Sequence, residues 1–465
     1  MTSNQTFQLF KQRMEQEEIS DIFIKNFQFY YQKLVSGETG FIGESAISPV
    51  ESLPDSEKLS EENRKIGKDN LSRTIFLKLN GGLGTSMGLE RAKSLLKVKK
   101  DYTFLDIIAQ QSIIGGYQLL LMNSYSTHKD SLHYLKKYPA LWRKIPLDFI
   151  QHKEPKVDKE DLRPVVWPKD PQLEWCPPGH GDLYISISTS GVLDQLLEND
   201  FEYAFVSNAD NLGAVLDPGI LGYFIGQQLP FMMEVADRTE ADKKGGHLAQ
   251  LKNGQFILRE IAQCPPDEVD AFQDVSRYRY FNTNNLWIHL PSLAKMLKKK
   301  KYIMELPMIL NEKTVDPRDP DSTPVYQIET AVGSAISVFK GSSAIRVPRT
   351  RFAPVKNTND LLAVRSDMYQ LTPDFKIIPI EEREAGSLEI DLDKKYYKLI
   401  DEFEARFPSD VPSLKNCFLL KIDGDVKFGK NIILKDRVHL INQGEQQITL
   451  ENGSVISGEL ELRRD

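Results

Sequence analysis

Leu79-Asn80-Gly81-Gly82-Leu83-Gly84-Thr85-Ser86-Met87-Gly88-Leu89-Glu90-Arg91-Ala92-Lys93-Ser94 decides how this chain is read. Just before it, Thr74-Ile75-Phe76-Leu77-Lys78 is short, apolar and rich in β-branched and aromatic residues, as a buried strand would be. Behind it, the pattern through Leu95 and Leu96 predicts the start of a helix. Strand, glycine loop and helix start together make a phosphate cradle, because a backbone without Cβ atoms can curl and turn its N–H groups inward. Gly81, Gly82, Gly84 and Gly88 supply that freedom, and Lys93 stands where an ammonium could reach a triphosphate. A turn with no ligand would not require four glycines so close together, since each costs backbone entropy on folding.

Two familiar phosphate loops do not fit. A P-loop needs Gly before its Lys-Ser pair, and here Ala92 precedes Lys93-Ser94. The dinucleotide fingerprint needs a third glycine where Met87 stands. Neither an ordinary ATPase nor a dehydrogenase is supported.

A chain of 465 residues exceeds one ordinary core and suggests about three domains. Its 40% hydrophobic and 27% charged residues describe a soluble globular protein. The formal net charge of -7 argues against a general nucleic-acid binder, so an anionic nucleotide must be held by local cations and loop amides. Cys176, Cys264 and Cys417 lie far apart, are odd in number and lack metal-site spacing, which argues against a disulfide framework or zinc ribbon. With no signal-like apolar segment and no run long enough for a membrane span, the expected compartment is the reducing cytoplasm.

Residues 1–72 read as an accessory helical segment, with Phe7, Phe10, Met14, Phe23, Phe27 and Tyr30 at helical spacing, followed by a looser stretch broken by Pro49 and Pro54. Residues 73–366 alternate strands and helices, the pattern of a mixed α/β sheet covered on both faces. Strands are expected at residues 118–122, 147–151, 203–207 and 231–235, with helices near 104–114 and 128–138. In such sheets ligands sit beyond the strand carboxyl ends, which places Gly81, Gln151 and Asp210 around one crevice. Residues 367–465 differ: a short helix is expected at 396–407, then brief apolar pieces separated by Gly424, Gly429, Gly444, Gly453 and Gly458. Such punctuation suggests stacked parallel coils, with a small antiparallel sandwich as the alternative.

Further polar clusters follow in order. Pro177-Pro178-Gly179-His180-Gly181-Asp182 holds a histidine out of a stiff loop, although a lone histidine is more often structural. Asn208-Ala209-Asp210-Asn211 ends a strand in two amides around a carboxylate, either a helix cap or a dock for a magnesium–nucleotide complex. Glu260, Asn282 and Glu329 offer the donors and acceptors that hexose hydroxyls need, as buried structural amides and carboxylates also would. Pro348 and Pro354 stiffen the basic segment Arg349-Thr350-Arg351-Phe352-Ala353-Pro354-Val355-Lys356.

These motifs resemble, in order, those of eukaryotic-type UTP–glucose-1-phosphate uridylyltransferases, over residues 78–465 and most specifically over 79–362. The matched segments include Leu-Asn-Gly-Gly-Leu-Gly-Thr-x-Met-Gly, Pro-Pro-Gly-His-Gly-Asp, Lys243-Lys244-Gly245-Gly246-His247, Phe281-Asn282-Thr283-Asn284-Asn285-Leu286-Trp287 and Val-Pro-Arg-x-Arg-Phe-x-Pro-Val-Lys. Ala92 stands where the family usually has Pro, and Ser86 where relatives acting on N-acetylated sugars carry Arg. The resemblance implies a Rossmann-like, GT-A-like nucleotidyltransferase domain with a left-handed parallel β-helix behind it. It implies UTP contacts from Leu79, Gly81, Gly82, Lys93, Gln151, Gly179, Asp210 and Lys356, with Lys93 and Lys356 catalytic. It implies sugar-phosphate contacts from His180, Asn208, Lys244, Glu260, Asn282 and Glu329, and Mg2+ near Asp210. The implied reaction joins UTP and glucose 1-phosphate into UDP-glucose and pyrophosphate, reversibly; alternatives are a broader UDP-sugar pyrophosphorylase or a non-catalytic nucleotide-sugar sensor. A glycosyltransferase would need an Asp-x-Asp metal motif, and Asp391-Leu392-Asp393 reads instead as a solvated turn far from the nucleotide motifs. The resemblance also allows a homo-oligomer through the C-terminal strands, whose tail would pack Leu460 and Leu462 on the last coil.

Overall fold

The computed structural model describes residues 3–380 and 388–462. Its centre is a ten-stranded mixed sheet. Thr74–Asn80 runs parallel to Tyr203–Asn208 on one side and to Gln118–Asn123 on the other, and Asp148–Ile150 extends the parallel half. The chain therefore winds outward from Thr74–Asn80 in one direction and returns to its other flank, a topological switch point beyond which ligands bind. Tyr280–His289 joins antiparallel beside Tyr203–Asn208 and carries Phe231–Asp237, which in turn pairs with Ser343–Arg346.

Strand alternation explains the two-sided burial. Ile75 and Leu77 enter the apolar cluster on one face, while Phe76 enters the cluster on the other with Phe205 and Trp287. The first cluster also contains Phe7, Phe10, Met14, Phe23 and Phe27 from the helices Ser3–Gln16 and Asp21–Val35. The N-terminal helices, expected as an accessory segment packing on the core, contribute these side chains to it. After them Ile47–Pro49 adds an edge strand to the sheet by pairing with His247–Leu251, an edge being where a proline is tolerated.

The helix expected directly behind the glycine loop does not form there. Gly84 and Gly88 adopt φ +72° and +73°, so the chain makes two short 3-10 turns, Thr85–Met87 and Lys93–Leu95, and then a strand, Lys97–Lys99. The helix begins at Phe104, where Thr103 and Asp106 form a reciprocal cap.

In the C-terminal region Glu389–Leu392, Ser413–Asp423, Ile433–Ile441 and Val455–Glu461 pair parallel in that order, and Val426–Lys427 pairs parallel with Ile448–Thr449. Parallel pairing overturns the antiparallel sandwich. The expected helix at 396–407 is two pieces, Lys394–Tyr397 and Ile400–Arg406, because Leu399 turns extended between them. Asp391 and Leu392 lie in the first C-terminal strand, and Asp393 caps a helix and accepts from the Gly424 N–H at 2.9 Å, so this motif is structural and no solvated turn. Leu462 packs on the C-terminal cluster, whereas Leu460 is 38% exposed, contrary to the expected closure; residues 463–465 of the tail lie outside the described residues. The cluster also takes in Met87, Val98, Val355 and Leu361, which seats the C-terminal strands against the segments carrying Lys93 and Lys356.

Candidate functional site

Beyond the carboxyl ends of the parallel strands opens a cavity of about 310 Å³. One wall is the glycine loop with Leu79, Gly81, Gly82 and Lys93. Gln151 closes another side, and Gly179 with His180 a third. Asn208 and Asp210 line it from the end of the neighbouring strand. Four segments distant in sequence meet here because three of them leave parallel strands of one sheet in one direction.

Local geometry explains the residue types. A Cβ on Gly81 would stand 2.9 Å from the Gln151 amide nitrogen. Gly179 has φ +78°, and a Cβ there would meet the Thr330 carbonyl at 2.5 Å and the Glu329 side chain at 3.1 Å. Only glycine fits between the cavity and the strand that carries Glu329. His180 accepts from the Val332 N–H through Nδ1 at 2.8 Å, so its remaining proton sits on Nε2. Burial of the ring pushes its pKa down to about 4, while the residue keeps a partly exposed edge. His180 is therefore a neutral donor at physiological pH.

Lys93 donates to Asp210 at 2.6 Å, with side chains 15% and 25% exposed. Asp210 is anchored on both sides: the Ala209 N–H donates to the Leu79 carbonyl at 3.0 Å and the Val355 N–H to the Asp210 carbonyl at 3.1 Å. The second contact brings the stiff basic segment to the cavity, with Lys356 next in sequence and exposed. Asp360 accepts from the Lys356 and Asn357 N–H groups at 2.7 and 3.1 Å. Burial raises its pKa, and the charges of Lys356 and Lys93 both oppose that rise. The two lysines thus share one electrostatic neighbourhood from opposite segments.

Of the expected sugar contacts, Glu260 and Asn282 are hydrogen-bonded, and Lys356 acts on Glu260, whose carboxyl is raised mainly by burial. Glu329 is likewise raised by burial, offset by Asn311 and Lys313; it packs behind Gly179 and, like Glu260 and Asn282, does not line the cavity. Lys244 is exposed and does not line the cavity; two residues on, Gly246 leaves room for the Glu260 carboxylate, 2.5 Å from where a Cβ would sit. Among the described residues no group of three or more His, Cys, Asp and Glu could hold a metal ion alone. One carboxylate on an open cavity nevertheless suits a hard cation that keeps phosphate and water ligands, as Mg2+ does.

Several supporting residues escaped the sequence. Glu234 is fully buried and receives Arg351 through Nε and a terminal nitrogen, both at 2.7 Å, together with Asn285 and Trp287. Arg351 had been visible only as part of a basic segment. Asn211 accepts from Ala353 and donates to Asn285, tying the Asp210 turn to that buried pair. Lys78 is buried beneath the same turn, donating to Ser207 at 2.7 Å and the Ala214 carbonyl at 3.0 Å, and burial lowers its pKa to about 7. A lysine inside an apolar strand was the available signal.

The family model described as UTP–glucose-1-phosphate uridylyltransferase matches residues 21–435. A probable UTP–glucose-1-phosphate uridylyltransferase of Schizosaccharomyces pombe is 39% identical over 399 residues, 84% of this chain and 77% of the relative. The enzyme of Hordeum vulgare is 39% identical over 395 residues, 83% and 81% of the two chains. Among solved structures, a UDP-glucose pyrophosphorylase variant from Leishmania major in complex with UDP-glucose superposes with TM-score 0.91 at 39% identity, over 98% of this chain and 99% of that one. A UDP-glucose phosphorylase from Trypanosoma brucei superposes at 0.87 with 43% identity and the same coverage. With a family model spanning most of its length and relatives this similar over four-fifths of it, the chain belongs to the UTP–glucose-1-phosphate uridylyltransferase family.

Proposed function

We propose that this chain transfers the uridylyl group of UTP to glucose 1-phosphate, giving UDP-glucose and pyrophosphate in a reversible reaction. The observation that carries this reading is the single cavity at the switch point, which gathers the glycine loop, Gln151, Gly179, His180 and the Asn208–Asp210 turn from four separate segments.

The sugar phosphate is already ionised at neutral pH, so its oxygen attacks the α-phosphorus without a Ser-His-Asp device. The task is to bring two anions into line and neutralise charge in the transition state. Lys93 and Lys356 do this from opposite sides, with the glycine-loop amides and the Nε2–H of His180 as further donors. Leu79, Gly81, Gly82, Gln151 and Gly179 hold the uridine end, and Asn208, Glu260, Asn282 and Glu329 the hexose, with exposed Lys244 at its phosphate. Bound Mg2+ would be held by Asp210 and the nucleotide phosphates, and it supplies charge neutralisation there.

In the finer architecture, residues 73–366 form a GT-A-like catalytic domain and residues 367–465 a left-handed parallel β-helix, with residues 1–72 packed on the catalytic side. The parallel pairing of the C-terminal strands supports the second assignment. Exposed Phe418 and Val455 on those strands support a homo-oligomer made through them. The setting we propose is cytoplasmic carbohydrate metabolism. The test is pyrophosphate release with UTP across a panel of sugar 1-phosphates: glucose 1-phosphate should give the highest kcat/KM, and no release with any of them would end the proposal.

A further inference from the structure

Gln151 and the loop around Gly179 face the same cavity from different elements, and the residue after Gln151 joins them. The His152 N–H donates to Asp182 Oδ2 at 2.7 Å, and His152 Nδ1 lies 2.8 Å from Asp182 Oδ1. A carboxylate only accepts, so Nδ1 carries a proton, and Nε2 lies 3.1 Å from the Thr189 hydroxyl, within hydrogen-bond reach. Asp182 precedes the helix Leu183–Thr189 and Thr189 ends it, so the imidazole bridges both ends of that helix. The carboxylate is 1% exposed and the histidine 13%.

The ring is also gripped from outside. Phe23, on the N-terminal helix Asp21–Val35, stacks on it with centroids 4.1 Å apart and planes 12° apart. Phe23 is itself 3% exposed within the main core. Backbone contacts also join the two segments: Glu154 pairs with Cys176 and Pro155 with Trp175, and the Lys156 N–H donates to the Glu174 carbonyl at 2.8 Å. These contacts join residues 154–156 to residues 174–176, whereas His152, next to Gln151, reaches Asp182 on the far side of Gly179 and His180. The two hydrogen bonds from His152 to Asp182 tie the segments together next to the cavity.

We infer that His152 is a positioning residue: clamped on Asp182 and backed by Phe23, it sets Gln151 against the Gly179–His180 loop and so makes the N-terminal helices part of the nucleotide site. This rests on the proposed role of that cavity as the UTP site. Displacement of a binding group by about 1 Å can cost a hundredfold, so a loosened clamp should act on nucleotide affinity well before it unfolds the chain.

The experiment uses the full chain carrying His152→Ala, His152→Asn or Phe23→Leu. Asn keeps a donor near the place of Nδ1 but loses the stack and the Thr189 bond. In His152→Ala, amide hydrogen exchange should accelerate together over residues 149–153 and 177–182 of the unliganded protein. KM for UTP should rise at least about tenfold, while KM for glucose 1-phosphate stays within about twofold. His152→Asn should recover most of the UTP affinity, and Phe23→Leu should shift it in the same direction by less. Unchanged exchange, acceleration of one segment alone, or a parallel rise in both KM values would overturn the clamp. Should the wild-type protein not turn over UTP, the functional reading fails and the exchange result still decides the clamp. If His152→Ala does not fold, the other two variants carry the same comparison.

Discussion

Replacing Lys356 by alanine separates catalysis from stability. The side chain is exposed, with Nζ 5.7 Å from the centroid of the Phe352 ring. An exposed cation–π contact is worth about 0.5–1 kcal/mol. The bond to Asp360 comes from the Lys356 backbone N–H and survives the substitution. Stability should therefore change by no more than about 1 kcal/mol, a shift of a few degrees at most in Tm for a chain this size. Loss of one preorganised electrostatic contact to the transition state costs about 2.7–4 kcal/mol, or about 10²–10³ in kcat. The catalytic term exceeds the structural one severalfold, so the variant should stay folded and lose at least about a hundredfold in turnover. Pyrophosphate release at saturating UTP and glucose 1-phosphate, paired with a thermal melt, measures both. Lys356→Arg should recover part of the rate, because it restores charge without the compact ammonium geometry. A turnover within tenfold of wild type, or a melt that collapses with the activity, would refute the role assigned to Lys356.

Four further outcomes are expected. ATP and CTP should be poor donors, since groups placed for uracil are left unpaired by the wrong base; comparable rates with UTP and ATP in the same assay would sink the role of Gln151 and Gly179. His180 has a folded pKa of about 4 against an ordinary value of 6.5, so its unfolded form binds more protons between those values and stability falls as pH drops through that window. Urea unfolding at pH 7 and pH 5 should show up to about 2 kcal/mol of pH dependence that His180→Asn lacks, and equal slopes for both proteins would contradict this. Arg351→Met strands the Glu234 carboxylate in the core and should cost about 3–5 kcal/mol in chemical denaturation, with turnover lost too as the Asn211–Ala353 contact loosens. Light scattering should find more than one copy at micromolar concentration and Phe418→Asp, at a 53% exposed position, should reduce it to one; a wild-type monomer would dispose of the assembly.

The cavity-lining motifs were legible in the sequence because their chemistry is local. Consecutive glycines, a histidine held between prolines and glycine, and amides around a carboxylate each announce a backbone or donor requirement without reference to the rest of the chain. The strands at Thr74–Asn80, Gln118–Asn123 and Tyr203–Asn208 were legible too, since a strand buried on both faces must be continuously apolar. The switch-point rule then brought Gly81, Gln151 and Asp210 together correctly. Local pattern failed where distant contacts outweighed it. The segment after the glycine loop became two 3-10 turns and then the short strand Lys97–Lys99, with Gly84 and Gly88 left-handed and Arg365 holding the Lys97 carbonyl at 2.9 Å. Asp393 reads as a solvated turn until Gly424, 31 residues away, donates to it. Glu234 and Arg351 stand 117 residues apart, and no spacing joins them; only folding puts both beneath Asn211, where a desolvated charge must find its partner. The donors and acceptors of the site were thus written in short segments, but their mutual distances were set by tertiary contacts, because electrostatic and packing energies depend on separation in space and not along the chain.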